Sequence, residues 1–213
     1  IMNSVAPISS LAHTLQGMLK QFNILHPDPS GVAGDLELGI DTIRKRSEGL
    51  LKFTETYRNL NKITKAELAR VFISGLFDTI QRLMQPTLDQ KNIEITVILK
   101  DPLVSAEMDA GLIEQVLINL VLNAIDAVKS QEELKIVLSA YTDNDSKVII
   151  KVADNGTGMP EDVLEQIFIP FFSTKKNGNG IGLSLCKQIM MVHKGSITVQ
   201  SKVNEGTAFY LRF

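Results

Sequence analysis

The sequence contains a single cysteine, Cys186, and this scarcity limits the sites it can build. One thiol excludes an internal disulfide and any metal site made of several cysteines, which suits a reducing compartment. Apolar neighbours at Leu183, Leu185 and Ile189 surround it at helical spacing. We therefore predict that Cys186 occupies a buried, chemically inert position on a helix.

The chain also lacks a strong excess of charge of either sign. Its 213 residues carry 22 basic and 24 acidic side chains, which gives a formal net charge of -2. No global basic field favours nucleic acid, so we expect no nucleic-acid partner. Hydrophobic residues make up 44% of the chain, a share typical of globular proteins with a buried core.

Long hydrophobic runs are missing as well. A membrane-crossing helix needs roughly 20 apolar residues, and the best candidate, 116–125, is interrupted by Asn119 and Asn123. The sequence opens on Ile1 without the features of a signal peptide. We expect a cytoplasmic fragment that makes no membrane contact itself, whereas its parent protein can still be membrane-anchored.

The first sixty residues are predicted to form two helices joined by a turn at 26–34. Alternating steps of four and three residues mark a bundle seam on each helix. The first seam consists of Ile1, Val5, Ile8, Ala12, Leu15, Leu19 and Phe22, and the second of Leu36, Ile40, Ile43, Ser47, Leu50, Thr54 and Tyr57. A hairpin over 1–62 has too little core to stand alone, so we predict a homodimeric four-helix bundle. The alternative is a hairpin that packs on its own downstream domain.

Residues 63–213 are predicted to form an α+β domain. Strands are expected at 93–99, 134–140, 147–153, 196–201 and 207–213, and helices at 67–85, 109–129, 161–167 and 181–193. Pro86 should end or kink the first of these helices. The order of elements indicates a mixed sheet with helices on one face.

Three motifs in this domain carry the candidate chemistry, and the first lies on the helix predicted at 109–129. Asn119, Asn123 and Asp126 share one polar face, because residues three and four apart are neighbours on a helix. Amide oxygens are hard ligands that suit a Mg²⁺ ion bridging phosphates. Taken alone, these residues are also compatible with the polar surface of an amphipathic helix.

The second motif follows the strand predicted at 147–153. Asp154 stands at the strand end, where its carboxylate can accept a hydrogen bond from an adenine amino group. Gly156 and Gly158 let the backbone approach the ring closely, and Met159 offers soft apolar contact. An ordinary Asp-Asn-Gly turn is the alternative interpretation.

The third motif consists of Gly178, Gly180, Ile181, Gly182 and Leu183, just before a predicted helix. Backbone N–H groups at a glycine-rich helix start bind phosphates. The motif is not a Walker loop, because no Gly-Lys-Ser/Thr follows, and no clear strand precedes it as in a dinucleotide fold.

Segment 168–175 lies between the last two motifs and mixes aromatic residues with a lysine. Phe172, Thr174 and Lys175 are the candidates for contacting ATP in this segment, which is typical of a mobile lid over phosphates. Lys175 and Lys176 are also compatible with plain solvated loop charges. Together the motifs predict ATP as the ligand and Mg²⁺ as its metal.

The set resembles the ATP-binding domain shared by sensor histidine kinases, gyrase-type topoisomerases, ATP-clamp chaperones and mismatch-repair ATPases. The matching segments are 114–129 for the asparagine box, 154–160 and 178–184 for the glycine boxes, and 168–175 for the phenylalanine box. Gly206 and Thr207 resemble its last conserved pair, whose threonine lies near the adenine. The resemblance implies a Bergerat-type α/β sandwich with Asn123 on Mg²⁺ and Asp154 on adenine.

Position 119 favours one branch of this superfamily. Hydrolytic members carry a water-activating glutamate there, whereas this chain has Asn119, which favours transfer to a protein acceptor. Residues 46–60 are similar to the second helix of the dimerisation and histidine-phosphotransfer domain in kinases related to the nitrogen-regulation sensors. That resemblance implies a homodimer and a response-regulator receiver domain as partners.

The family's acceptor histidine opens a His-Glu-Ile-x-Asn pattern, of which Ile1 and Asn3 match the remainder. We therefore expect the acceptor just before Ile1, with His13 as the weaker alternative because no acid follows it. Asn3 matches the position that orients the hydrolytic water in kinases that are also phosphatases.

The sequence thus predicts the kinase core of a two-component sensor, which transfers the γ-phosphoryl group of Mg·ATP to a histidine and then to a regulator aspartate. An ATP-gated conformational clamp and a nucleotide-sensing kinase without catalysis are the alternatives.

Overall fold

The computed structural model divides the chain into two compact units, Ile1–Lys62 and Ile63–Phe213. The residues that it describes are 2–25, 34–45, 47, 49, 65–127, 134–175, 178 and 180–213.

The first unit contains two helices in its described part. Helix α1 spans Met2–Leu25 and helix α2 spans 34–45. Lys20 on α1 lies 4.0 Å from the Glu37 carboxylate on α2. Apolar side chains are exposed on both helices, namely Ile8, Leu11, Leu15, Met18, Leu36, Leu38 and Ile43. The turn at 26–33 and most of 46–60 lie outside the described residues, so the hairpin and its dimeric bundle stay predictions.

The second unit is built around a five-stranded sheet. Its elements are β1 (Ala69–Phe72), α3 (Ile73–Gln90), β2 (Ile93–Leu99), β3 (Ser105–Met108), α4 (Ala110–Ala127), β4 (Leu134–Thr142), β5 (Val148–Asp154), α5 (Glu161–Leu164), α6 (Gly182–Val192), β6 (Ser196–Lys202) and β7 (Gly206–Arg212). The sheet order is β2-β4-β5-β7-β6, in which β2 and β4 are parallel and the other neighbours are antiparallel. The predicted α+β class and mixed sheet are therefore confirmed.

Three helices form the layer that covers this sheet. Helix α4 contacts α3 and α6, while α3 contacts β2, α4 contacts β4 and β5, and α6 contacts β6. The α4 side chains in the core are Ile113, Val116, Leu117, Leu120, Val121, Ala124 and Ile125. In the described part of the chain, α4 is also the one helix long and apolar enough to cross a membrane by length and composition. Its packing in this layer accounts for that apolar character, because a core helix passes the same test.

The helix predicted at 67–85 is wrong at both of its ends. Residues Ala69–Phe72 form a strand that pairs antiparallel with Ser105–Met108, and neither strand was predicted. The Arg70 guanidinium lies over the Phe72 ring and its Nε donates to Ser105 Oγ at 3.1 Å, so tertiary pairing overrides local propensity. Helix α3 also continues through Pro86 to its end at Gln90.

Candidate functional site

A cavity of about 800 Å³ lies between α4, the loop after β5, the segment leading into α6, and β7. Fourteen predicted nucleotide-binding residues line it, namely Asn123, Asp126, Asp154, Gly158, Met159, Phe172, Thr174, Lys175, Gly178, Gly180, Ile181, Gly182, Leu183 and Thr207. The fold therefore brings the three sequence motifs to one place. Asn119 and Gly156 are not in the wall, and Asn3 lies on α1 in the other unit.

Asp154 is fixed in the cavity wall by the sheet. It is the last residue of β5 and stands opposite Thr207 in the register of β5 with β7. The backbone N–H of Gly156 donates to Asp154 Oδ1 at 2.9 Å, and the backbone N–H of Thr207 donates to the same carboxyl group. Burial nevertheless raises the pKa of Asp154 to about 6 from the usual 3.8, because it disfavours the charged form more than the two donors favour it.

Ser201 was not predicted, yet it ties together two walls of the cavity. It stands opposite Thr207 in the register of β6 with β7. Its Oγ accepts a hydrogen bond from the Met159 N–H at 2.9 Å, and lies 3.0 Å from the Gly206 carbonyl oxygen and 2.9 Å from Thr207 Oγ1. When Ser201 donates its one proton to Gly206, Thr207 must donate to Ser201. Thr207 then faces the cavity as a hydrogen-bond acceptor.

Two oxygen atoms on α4 converge on one cationic position in the cavity wall. Lys175 Nζ donates to Asn123 Oδ1 and to Asp126 Oδ2, each at 2.9 Å. Amide and carboxylate oxygens that already hold an ammonium group also fit a hard divalent cation such as Mg²⁺. Among the described residues no cluster of three or more His, Cys, Asp or Glu side chains could hold a metal by itself. This donor set suits an ion that is also bound by water and phosphate oxygens.

Two glycines of the cavity wall have backbone conformations that other residues rarely adopt. Gly158 has φ +64°, and an added Cβ would lie 2.0 Å from the Lys202 carbonyl oxygen. Gly180 has φ +62°, and an added Cβ would lie 2.4 Å from the carbonyl carbon of Phe171. The Phe171 N–H donates to the Gly180 oxygen at 2.8 Å, which closes the segment between them. These positions therefore require glycine to shape the cavity wall.

The two predicted residues outside the wall support it from behind. An added Cβ at Gly156 would lie 2.8 Å from the Ala127 backbone, so this glycine allows the loop to dock on the end of α4. Asn119 faces α6, where its Oδ1 would lie 3.4 Å from an added Cβ at Gly182. The Cys186 thiol on α6 donates to the Val116 carbonyl oxygen of α4 at 3.9 Å. Burial raises the pKa of the Cys186 thiol to about 12, so the predicted inert helical position is confirmed.

Six further wall residues were missed, namely Ala127, Thr157, Val163, Ile167, Ser173 and Phe209. Ala127, Thr157 and Ser173 lie within the recognised motif segments, but their small side chains gave no reason to single them out. Val163, Ile167 and Phe209 resemble ordinary apolar core residues. Val163 and Ile167 recur four residues apart, which is the one signal that could have placed them together.

Comparison with known proteins gives consistent matches. Residues 108–213 match the family described as histidine kinase-, DNA gyrase B-, and HSP90-like ATPase. The sensor histidine kinase ZraS of Escherichia coli (strain K12) is 29% identical over 205 residues, which cover 96% of this chain and 42% of ZraS. The chain spans less than half the length of the first curated relatives it matches.

Solved structures agree with these sequence matches. The catalytic domain of histidine kinase ThkA is 34% identical, with a TM-score of 0.60, and the match covers 69% of this chain and 95% of that domain. ThkA in complex with the response regulator protein TrrA is 26% identical, with a TM-score of 0.66, over 99% of this chain and 60% of that one. The expected Bergerat-type fold of residues 63–213 is thus the fold of a histidine kinase catalytic domain. The chain belongs to the sensor histidine kinases and carries their ATPase-type catalytic core.

Proposed function

We propose that the second unit binds Mg·ATP with the adenine at Asp154 and the phosphates at Asn123. One observation carries this proposal: the same cavity is lined by a hydrogen-bond-accepting carboxylate at the end of β5 and by two converging oxygens on α4. The carboxylate of Asp154 matches the amino group of adenine, and the oxygens of Asn123 and Asp126 match a divalent cation.

The residues of the chain position the nucleotide and contribute little covalent chemistry. Asp154 and Thr207 orient the base, while the backbone N–H groups at the start of α6, from Gly182, face the phosphates. Lys175 offers an ammonium group from segment 168–175. The bound metal supplies charge neutralisation on the phosphates, and Asn123 is the side chain that would hold it.

We further propose that the γ-phosphoryl group passes to a histidine and then to an aspartate on a response regulator. The ThkA complex with TrrA supports a regulator partner, because ThkA matches nearly the whole length of this chain. The apolar side chains exposed on α1 and α2 support a homodimer that covers them. Ile1 and Asn3 match the remainder of the acceptor motif, which supports an acceptor just upstream of Ile1 in the cytoplasmic part of a longer chain.

The type of side chain at position 119 distinguishes a kinase from an ATP-gated clamp. Asn119 carries an amide and no carboxyl group, so no general base activates water from this position. Steady-state ATP turnover by the chain without an acceptor protein tests this point. Kinase function predicts Mg·ATP binding with negligible release of inorganic phosphate, and sustained turnover would favour the clamp. Failure to bind ATP would contradict both functions.

A second proposed activity is dephosphorylation of the regulator, for which Asn3 orients water. In the full-length parent, Asn3→Ala should abolish dephosphorylation of the regulator while autophosphorylation persists. Thr14→Ala serves as the control, because Thr14 only donates to the Ser10 carbonyl on the same helix. Equal dephosphorylation by the Asn3 variant and the control would remove this role.

A further inference from the structure

The two oxygens that we propose as ligands near the metal already hold a positively charged side chain of the protein. Lys175 Nζ donates to Asn123 Oδ1 and to Asp126 Oδ2 in the wall of the cavity. The Lys175 and Asp126 side chains remain 43% and 41% exposed. Solvent therefore screens the ion pair, which makes it weak enough to be displaced.

Lys175 and a divalent cation cannot both use Asn123 Oδ1 favourably. A hard cation binds an amide oxygen at about 2.1 Å, whereas the ammonium nitrogen lies 2.9 Å from the same atom. The two positive charges would then lie within about 5 Å of each other and repel. Binding of the metal and release of Lys175 are therefore coupled.

We propose that Lys175 is an intramolecular competitor of the divalent cation: it occupies the Asn123–Asp126 site without nucleotide and leaves it when Mg·nucleotide binds. This inference rests on the proposed Mg·ATP function and deepens it. The released ammonium is then available to the phosphates, because Lys175 lines the same cavity. Lys175 thus opposes the metal before binding and favours the nucleotide after it.

Removal of the ammonium group should therefore have two opposite effects. Lys175→Met should lower the Mg²⁺ concentration that gives half-maximal nucleotide binding by about two- to tenfold, since an exposed ion pair is worth little. The same variant should weaken nucleotide binding at saturating Mg²⁺, because a phosphate contact is lost. A lysine that only contacts phosphate predicts the second effect without the first.

Equilibrium binding of a fluorescent ATP analogue to the full chain, titrated with Mg²⁺, measures both effects. Lys100→Met is the matched control, since the Lys100 ammonium lies over the Tyr141 ring and outside the cavity wall. A lower half-saturating Mg²⁺ concentration for Lys175→Met, but not for Lys100→Met, supports the competition. An unchanged or higher value overturns it and leaves the Mg·ATP function intact. Nucleotide binding that does not depend on the Mg²⁺ concentration in the unmodified chain overturns the proposed function itself.

A second measurement needs no nucleotide. The acetylation rate of Lys175 by an amine-reactive ester, normalised to Lys100 in the same sample, reports whether the ammonium is engaged. Competition predicts that Asn123→Ala raises the relative rate at Lys175 in the absence of nucleotide, because the substitution removes one of the two oxygens that hold the ammonium group. An unchanged relative rate at Lys175 in Asn123→Ala contradicts the proposal.

Discussion

Replacing Asp154 by asparagine separates the binding role of this residue from its role in stability. The substitution keeps an oxygen that can accept from the Gly156 and Thr207 N–H groups. It removes the negative charge of the carboxylate that we propose to accept a hydrogen bond from the adenine amino group. A hydrogen bond to a charged group contributes roughly 1.5–3 kcal/mol. We therefore expect ATP affinity to fall about ten- to a hundredfold.

The stability of the ligand-free protein should change in the opposite direction. The native pKa of Asp154, about 6, lies above the ordinary 3.8, so the folded state binds the proton more tightly than the unfolded state. The stability that this group contributes is present below pH 4 and is lost as pH rises through 6. A difference of about two units corresponds to at most about 3 kcal/mol. At pH 8, the free energy of unfolding of Asp154→Asn should therefore be equal to or higher than that of the unsubstituted chain.

Isothermal titration calorimetry with ATP and urea unfolding, each at pH 5.5 and 8, tests both expectations. The ATP affinity of the unsubstituted chain should fall as the pH drops through 6. This fall should be larger than the one for Asp154→Asn, in which only the phosphates of ATP titrate. Asp78→Asn, at an exposed position on α3, controls for loss of a charge. Unchanged affinity in Asp154→Asn, or a variant less stable at pH 8 than the unsubstituted chain, would refute the reasoning.

Three further substitutions probe the cavity walls. Ser201→Ala removes the hydroxyl group that joins the Met159 loop to β7. A hydrogen bond contributes roughly 1 kcal/mol, so ATP binding should weaken about fivefold in the same calorimetric titration. Full ATP affinity would contradict the positioning role of Ser201. Gly180→Ala introduces strain at φ +62° and should lower the free energy of unfolding by at least about 1 kcal/mol, whereas Gly75→Ala, with nothing within 4 Å of its added Cβ, should raise it by up to about 1 kcal/mol. Equal urea midpoints for these two variants would oppose the argument. Asn123→Ala should remove the Mg²⁺ dependence of ATP binding, and a preserved dependence would exclude Asn123 as the metal ligand.

Most of the central sheet could be predicted because its strands are rich in valine and isoleucine. The predicted 93–99 strand has the observed bounds, and the other four differ by at most two residues at either end. Strands β1 and β3 are four residues long and are stabilised by pairing with each other across 33–39 positions of sequence. Segments of four residues are too short to carry a periodic signal, so their pairing could not be predicted locally.

The candidate site also has a part that local sequence predicts and a part that depends on long-range contacts. Its glycines and polar residues stand in local motifs whose chemistry can be recognised from the sequence alone. The role of Ser201 depends instead on strand register, which aligns Ser201, Thr207 and Asp154 across three adjacent strands. The contact of Lys175 with Asn123 joins residues 52 positions apart, and only the folded chain brings them together.

Transfer of label from γ-labelled Mg·ATP tests the proposed kinase function most directly. The comparison uses this chain and a chain extended upstream through the predicted His-Glu pair. Kinase function with an upstream acceptor predicts acid-labile label on the extended chain alone. Label on both chains would identify His13 as an acceptor, and the absence of label from both, despite ATP binding, would contradict phosphoryl transfer and favour a nucleotide-sensing role.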